Sequence, residues 1–204
     1  WILAFSPNFT TFLIGWAIGL VCASVLHYGP RPARLLVRAY VTFFLNTPLL
    51  VQIFFIYFAL PDYGILIGSV EAVILGMSLN AGAYMAEIQG AGFASIRRAE
   101  IEAAETLGFS RLQQIRYVIL PHIAKVLYPP LSNQYIILTM TTSVAAIFGV
   151  EELTGRAYNI NAQTFRSLEI FSIAAVYYVV LTVIASAVLY AIGRFLFRIK
   201  GKVF

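Results

Sequence analysis

Long apolar runs separated by short polar clusters dominate this chain. Five stretches are long enough to be spans, at roughly 9–26, 39–60, 63–88, 117–140 and 168–195. A helix needs about 20 apolar residues to cross about 30 Å of hydrocarbon. Outer-membrane barrels instead alternate over segments of about ten residues. The unbroken runs therefore predict an all-α membrane protein of about five transmembrane helices in a single domain, 1–204. The fourth stretch is irregular, with Pro121 near its start and Pro129-Pro130 further in, followed by Asn133 and Gln134. Consecutive prolines remove backbone donors and break the helix ladder, and a break inside a bilayer needs protein or water to satisfy the freed carbonyls. Two readings follow: a tolerated kink, or a span that lines a pathway. Segment 139–166 mixes Thr, Ser, Gly and Glu and is long for a connection. Such segments are often functional, and a short gate helix on the outer side is expected there. There is no internal repeat, low-complexity tract or second domain.

Composition agrees with a membrane chain: 60% of residues are apolar, 11% are charged and the mean hydropathy is +0.84. Soluble domains carry about 25% charged residues. The placement of charge then sets orientation. The first connection holds Arg31, Arg34 and Arg38. The third, with the head of the fourth span, holds Arg97, Arg98, Arg111, Arg116 and Lys125. The C-terminal tail holds Arg194, Arg198, Lys200 and Lys202. Of the fourteen basic residues only Arg156 and Arg166 lie elsewhere. The positive-inside rule puts those three regions in the cytoplasm and the N-terminus outside. Asp62, Glu71, Glu151, Glu152 and Glu169 then fall on or near the outer side. Orientation accounts for the net charge of +5, so no nucleic-acid partner is implied. The chain begins at Trp1 rather than Met, which predicts that the true N-terminus lies upstream. The lone Cys22 reads as a small apolar helix residue. His27 and His122 have no partner set for a metal or nucleophile site, and His122 reads as interfacial.

Between the third and fourth runs lies a polar segment with its own pattern. Residues 96–107 read as a short helix with Ile96, Ala99, Ala103 and Leu107 near one side and Ser95 as N-cap. Gly108 follows where a left-handed cap is expected. Ser110 with Gln113 forms a capping-box signature for a second helix, which leads through Leu120-Pro121 into the fourth span. Ala103 and Ala104 would let a partner surface approach closely. Glu102 could meet basic groups on it or cap a partner helix. On these residues alone, an amphipathic helix lying on the membrane is the competing reading.

Glu102-Ala103-Ala104, Gly108 and Leu120-Pro121 resemble the cytoplasmic loop of ABC importer permeases, specifically the polar amino-acid uptake group. The resemblance spans roughly 10–195. Thr47-Pro48-Leu49-Leu50-Val51-Gln52 is similar to the family's TPLLVQ run, followed by Tyr57-Phe58 and Leu60-Pro61. Tyr84, Ala86, Glu87 and Ile88 resemble its YxAEI segment, and Thr142-Ser143 and Glu152-Leu153 its TS and EL elements. The resemblance implies a type I ABC importer-like fold with a coupling helix in the loop at about 95–117. It further implies alternating access, ATP-binding cassette subunits that carry ATP and Mg (no cofactor on this chain), a second permease subunit, an extracytoplasmic solute-binding protein and residence in the bacterial inner membrane. No GxxxxGK[ST] loop is present, since Gly201-Lys202 lacks the upstream glycine and the following hydroxyl residue.

Four departures stand out. Leu45-Asn46, Gly90-Ala91-Gly92 and Met140 occupy places where the family usually has a basic residue, and its Gly-Gln before the EAA motif reads Ala99-Glu100 here. Three absent basic positions predict a heterodimer whose other half keeps the charge. Candidate pathway residues are the polar groups at membrane depth: Gln52, Asn80, Glu87, Asn133, Gln134, Thr139, Thr142 and Ser143. Such groups usually face the bundle interior, or simply bond between helices. Glu87 would be interfacial or pair with Arg97 or Arg98. The alternative function is a gradient-driven carrier or channel without an ATPase partner. A carrier would be expected to show internal repeats. An intramembrane enzyme would need a nucleophile or metal pair that the His, Cys and Asp inventory does not offer.

Overall fold

The structure, a computed structural model, describes residues 2–197, with side chains described from Asn8 onward. Arg198, Lys200 and Lys202 lie outside the described residues, so the charge reading of the C-terminal tail rests there on Arg194 alone. Among the described residues nine α-helices follow in chain order: α1 Ile2–Tyr28, α2 Arg31–Asn46, α3 Leu49–Phe54, α4 Ser69–Ala94, α5 Arg98–Thr106, α6 Arg111–Gln114, α7 Leu120–Thr141, α8 Leu153–Thr164 and α9 Ser167–Phe197. Three stretches are long and apolar enough to cross a bilayer singly: Asn8–Tyr28, Arg111–Phe148 and Ser167–Phe197. Two further pieces, Arg31–Asn46 and Leu49–Tyr63, pass the same test only together and meet at 109°, the geometry of a broken span or a re-entrant loop.

The remaining long helix, α4, has 26 residues, about 39 Å at 1.5 Å per residue. Its mix of Gly, Ser, Asn and Gln among small apolar residues keeps it below the hydropathy of a lone span. That composition follows from its place: α4 is the centre of the bundle, and Ala72, Met77, Ser78, Ala81, Met85, Ala86 and Gln89 on it are buried. Small residues let neighbouring helices approach closely. A Cβ on Gly19 of α1 would lie 2.6 Å from the Met85 Cβ and 2.8 Å from its backbone carbonyl carbon.

Contacts fix the relative directions. Gly15 faces Ala81 and Gly19 faces Met85, so α1 and α4 run parallel. Asn8 bonds Thr139 at 2.6 Å and Phe12 meets Tyr135 at 5.3 Å, so α7 runs against α1. The Tyr128 hydroxyl donates to the Leu189 carbonyl at 2.6 Å, while Tyr178 meets Glu152 beyond the other end of α7, so α9 runs against α7. These directions match alternate crossings, with α1, α4 and α9 pointing one way. The main core joins Ile53, Val73, Met77, Ala81, Met85, Leu138, Ala145 and Phe148.

Several boundaries differ from expectation for identifiable reasons. The second span is not one helix over 39–60; it breaks at Thr47-Pro48, because the residue before proline is pushed out of the helical region, and Thr47 has φ −118° and ψ 141°. The third begins at Ser69 rather than 63, since Gly64 adopts φ 79° and ends the preceding 3₁₀ turn Leu60–Tyr63. The fourth does not break at Pro129-Pro130; α7 continues through both. The disturbance sits upstream, in a π-turn at Ile115–Ile119 directly before Leu120-Pro121. The expected outer gate segment is a 3₁₀ stretch, Thr142–Phe148, followed by α8.

Candidate functional site

The loop between α4 and α7 folds as helix, glycine turn, helix. Gly108 has φ 78°, a conformation that a Cβ resists. The Gln113 side chain accepts from the Ser110 N–H at 2.8 Å, and the Ser110 hydroxyl accepts from the Gln113 N–H at 3.4 Å, which closes the capping box. Ser95 is not the N-cap of α5; it caps the end of α4 by donating its hydroxyl to the Gly92 carbonyl at 2.7 Å. Of the two alanines expected to let a partner approach, Ala103 is exposed and Ala104 is buried; Ala99, Leu107 and Gly108 are exposed as well. A stripe of small and apolar residues is thus offered outward, beside Leu112, 74% exposed. Glu102 on that helix is exposed and is held by Arg98 at 2.9 Å. An exposed i,i+4 pair is weak, at most about 0.5 kcal/mol, so a partner's charge can replace it. Leu120 and Pro121 stand apart from this surface, at the head of α7.

The break in the second span creates a polar hub. Carbonyls freed around Thr47-Pro48 must find donors, and Gln52 supplies them. Its Nε2 lies 3.0 Å from the Phe44 carbonyl, 3.0 Å from the Thr47 carbonyl and 2.7 Å from Thr47 Oγ1. Asn80 of α4 donates to Gln52 Oε1 at 3.1 Å and to the Phe44 carbonyl at 3.2 Å. Beside the hub opens a cleft of about 530 Å³, lined by Thr47, Pro48, Asn80, Tyr84, Gln134 and Thr141 among others. Gln52, buried, serves the hub, whereas Asn80 and Gln134 reach the cleft.

A second cavity of about 440 Å³ lies at the opposite end from the loop, between α8, α9 and the ends of α1 and α7. Its floor is a buried carboxylate. Glu152 caps α8: Oε1 accepts from the Gly155 N–H at 2.8 Å, and Oε2 accepts from the Tyr178 hydroxyl at 2.9 Å. Thr154 Oγ1 and the Tyr178 hydroxyl lie 2.8 Å apart. Asn8, also buried, donates to Thr139 Oγ1 at 2.6 Å, and its Oδ1 has no partner among the described residues. Thr139, Thr142, Tyr177 and the exposed Glu151 and Arg156 complete the polar lining.

The structure therefore sorts the pathway candidates. Asn80 and Gln134 line the cleft, and Thr139 and Thr142 line the second cavity. Ser143 lines neither; its hydroxyl donates to the Met140 carbonyl at 2.9 Å. Asn133 and Glu87 are exposed on their helices. Glu87 makes no ion pair with Arg97 or Arg98 among the described residues; Arg98 pairs with Glu102 instead. Sequence reasoning placed Glu152 near the outer side but missed its buried carboxylate, together with Asn8, Tyr178 and Tyr84. The available signal was a glutamate three residues before Gly155, where an N-cap side chain can reach a free N–H.

Comparison with known proteins agrees with this architecture. Residues 15–198 match the family described as binding-protein-dependent transport system inner membrane component. The chain is 38% identical over 182 residues to the glutamine transport system permease protein GlnP of Escherichia coli (strain K12), covering 88% of this chain and 83% of that one. It is 34% identical over 193 residues to the L-cystine transport system permease protein TcyB of Bacillus subtilis (strain 168), covering 94% and 82%. Among solved structures, an amino acid ABC transporter with histidines superposes with TM-score 0.86 at 32% identity, over 95% of this chain and 90% of that one. The inward-facing MetNI methionine ABC transporter shares the fold, with TM-score 0.72 at 21% identity.

Proposed function

The chain belongs to the family of binding-protein-dependent transport system inner membrane components, and from that membership we propose that it forms the membrane pathway for an amino acid in an ATP-driven importer. ATP and Mg bind to separate ATP-binding cassette subunits, which dock on the α5 surface. An extracytoplasmic binding protein delivers solute at the opposite end. In this orientation the N-terminus is outside, the loop 95–117 and the C-terminus are cytoplasmic, and the host membrane is the bacterial inner membrane.

The observation that carries the reading is the outer cavity. A buried carboxylate is costly unless paired and hydrogen-bonded, and Glu152 is hydrogen-bonded without a cation among the described residues. Glu152 and Asn8 line the same space, with the unpartnered Asn8 Oδ1 buried in its wall. That arrangement suits a substrate ammonium group, and the Arg156 guanidinium on the same wall suits a carboxylate. A zwitterionic amino acid supplies both. The cleft at Asn80 and Gln134 is the next polar station along α7. Solute moves inward as the two ends open in turn, and ATP closure shifts that equilibrium only through its differential affinity for the two states.

The second permease subunit is a different chain in this proposal, because Leu45-Asn46, Gly90-Ala91-Gly92 and Met140 leave this half without three basic groups. Full uptake by this chain as the sole permease would remove that part. The cavity reading is tested by Glu152→Gln in the assembled complex in nanodiscs. Uptake of every transported amino acid is expected to fall at least about tenfold, the equivalent of 1.4 kcal/mol, with ATPase subunits retained. Unchanged uptake with Glu152→Gln would move the solute site elsewhere.

A further inference from the structure

The docking helix α5 is poorly connected to the span it must move. Along the chain, the helix Arg111–Phe148 is continuous through the π-turn Ile115–Ile119, and the compliant point between α5 and that helix is Gly108 at φ 78°, a glycine with wide backbone freedom. A push on α5 delivered along the chain would be absorbed there. A direct bridge bypasses this route. Glu100 in the first turn of α5 meets His122, the third residue of α7, with Oε2 to Nδ1 at 3.5 Å. Both side chains are about two-thirds covered, at 37% and 30% exposed.

We propose that Glu100 and His122 are positioning residues that form the strut between the docking helix and α7, so that movement of α5 tilts α7 as one body. The proposal rests on α5 being the docking surface. Three observations support it. Among the described residues this is the one acid–base contact that joins α5 to another element. It flanks the exposed stripe on the side of the buried Ala104. It also uses Glu100, one of the positions at which the chain departs from the family pattern. Other charges nearby are otherwise placed. Arg98 holds Glu102, the Arg116 guanidinium lies over the Tyr117 ring, and Lys125 stands one turn further along α7. His122 Nε2 is buried with no partner among the described residues, which leaves Nδ1 as the atom that can anchor the ring to a neighbour.

The test uses the complete complex of permeases, ATPase subunits and binding protein in nanodiscs, and reads the solute moved per ATP hydrolysed. Glu100→Gln and His122→Gln are each expected to lower that ratio about threefold, a size suited to a half-buried pair. The double Glu100→Gln/His122→Gln falls no further, because one interaction is lost in all three. The exchange Glu100→His with His122→Glu recovers most of the ratio, and His122→Lys, which places a cation opposite Glu100, retains it should the exchanged protein fail to fold. Unchanged ratios in the single variants, a double that falls by the product of the singles, or no recovery in either rescue would overturn the strut. The docking premise fails separately: Gly108→Asp would then leave the ATPase subunits bound and stimulated by the binding protein.

Discussion

Removing the Gln52 side chain gives the sharpest test of how the second span is held. In Gln52→Leu the apolar volume is kept, but three acceptors lose the Nε2 donor: the Phe44 carbonyl at 3.0 Å, the Thr47 carbonyl at 3.0 Å and Thr47 Oγ1 at 2.7 Å. They are not lost equally. The Phe44 carbonyl keeps Asn80 at 3.2 Å, and Thr47 Oγ1 still donates to the Phe43 carbonyl at 2.8 Å. The Thr47 carbonyl, on the half-buried Thr47 in the cleft wall, loses its partner, and this falls at the low end of the about 1–3 kcal/mol that an unsatisfied buried group costs. Hydrogen bonds between transmembrane helices average about 0.6 kcal/mol, so the two weakened contacts and the Asn80–Gln52 bond add little beside it. The expected loss is about 1–2 kcal/mol.

Denaturant unfolding in mixed micelles, followed by tryptophan fluorescence, measures that loss. Asn80→Ala alone is expected to cost about 1 kcal/mol, since it removes the bond to Gln52 Oε1 and a long one to Phe44. In the double variant the two costs are coupled, because each side chain is the other's partner, and the sum of the singles overstates the loss by at least about 0.5 kcal/mol. Strict additivity, or a Gln52→Leu protein as stable as wild type, would refute the hub as the device that closes the break at Thr47-Pro48.

Two further predictions follow from close packing and from the docking surface. Gly19→Ala places a methyl 2.6 Å from the Met85 Cβ and 3.0 Å from the Ala86 nitrogen, so α1 and α4 must part at a cost of about 1–3 kcal/mol, whereas Gly90→Ala meets nothing within 4 Å and is expected to stay within about 0.5 kcal/mol in the same unfolding assay. Glu102→Lys and Gly108→Asp are expected to release the ATPase subunits or abolish their stimulation by binding protein and solute, read by size-exclusion and ATPase rate in nanodiscs.

What was legible in the sequence was whatever depends on long-range averages. Five crossings could be counted because apolar runs of about 20 residues have few other uses, and Gly108 with Ser110 and Gln113 could be read because cap chemistry is local. Local irregularity was harder. Thr47-Pro48 lies within an apolar run that continues on both sides, so hydropathy merged two helices meeting at 109° into one. Pro129-Pro130 pulled the other way: the missing donors suggested a break, but only carbonyls one turn upstream lose partners, and packing of Tyr128 on Leu189 and Gly193 of α9 keeps the helix on course. Glu152 was hidden by its type. A carboxylate at the end of a span reads as solvent-facing, and only Tyr178 and the Gly155 N–H, 26 and three residues away, explain how it is buried.

Irregular backbone is tolerated at membrane depth only where it is enclosed by protein or borders a water-filled space, and both irregular joints of this bundle meet that condition. The Thr47-Pro48 break borders the cleft, with Thr47 and Pro48 in its wall. The passage from α7 into the 3₁₀ stretch Thr142–Phe148 borders the outer cavity, with Thr139 and Thr142 in its wall. Helix α7 contributes to both spaces from different sides, Gln134 and Thr141 to the cleft and Thr139 with the following Thr142 to the cavity. Any tilt of α7 that widens one lining must therefore alter the other. Helix α7 thus links the two linings, and it begins at the residues that meet α5.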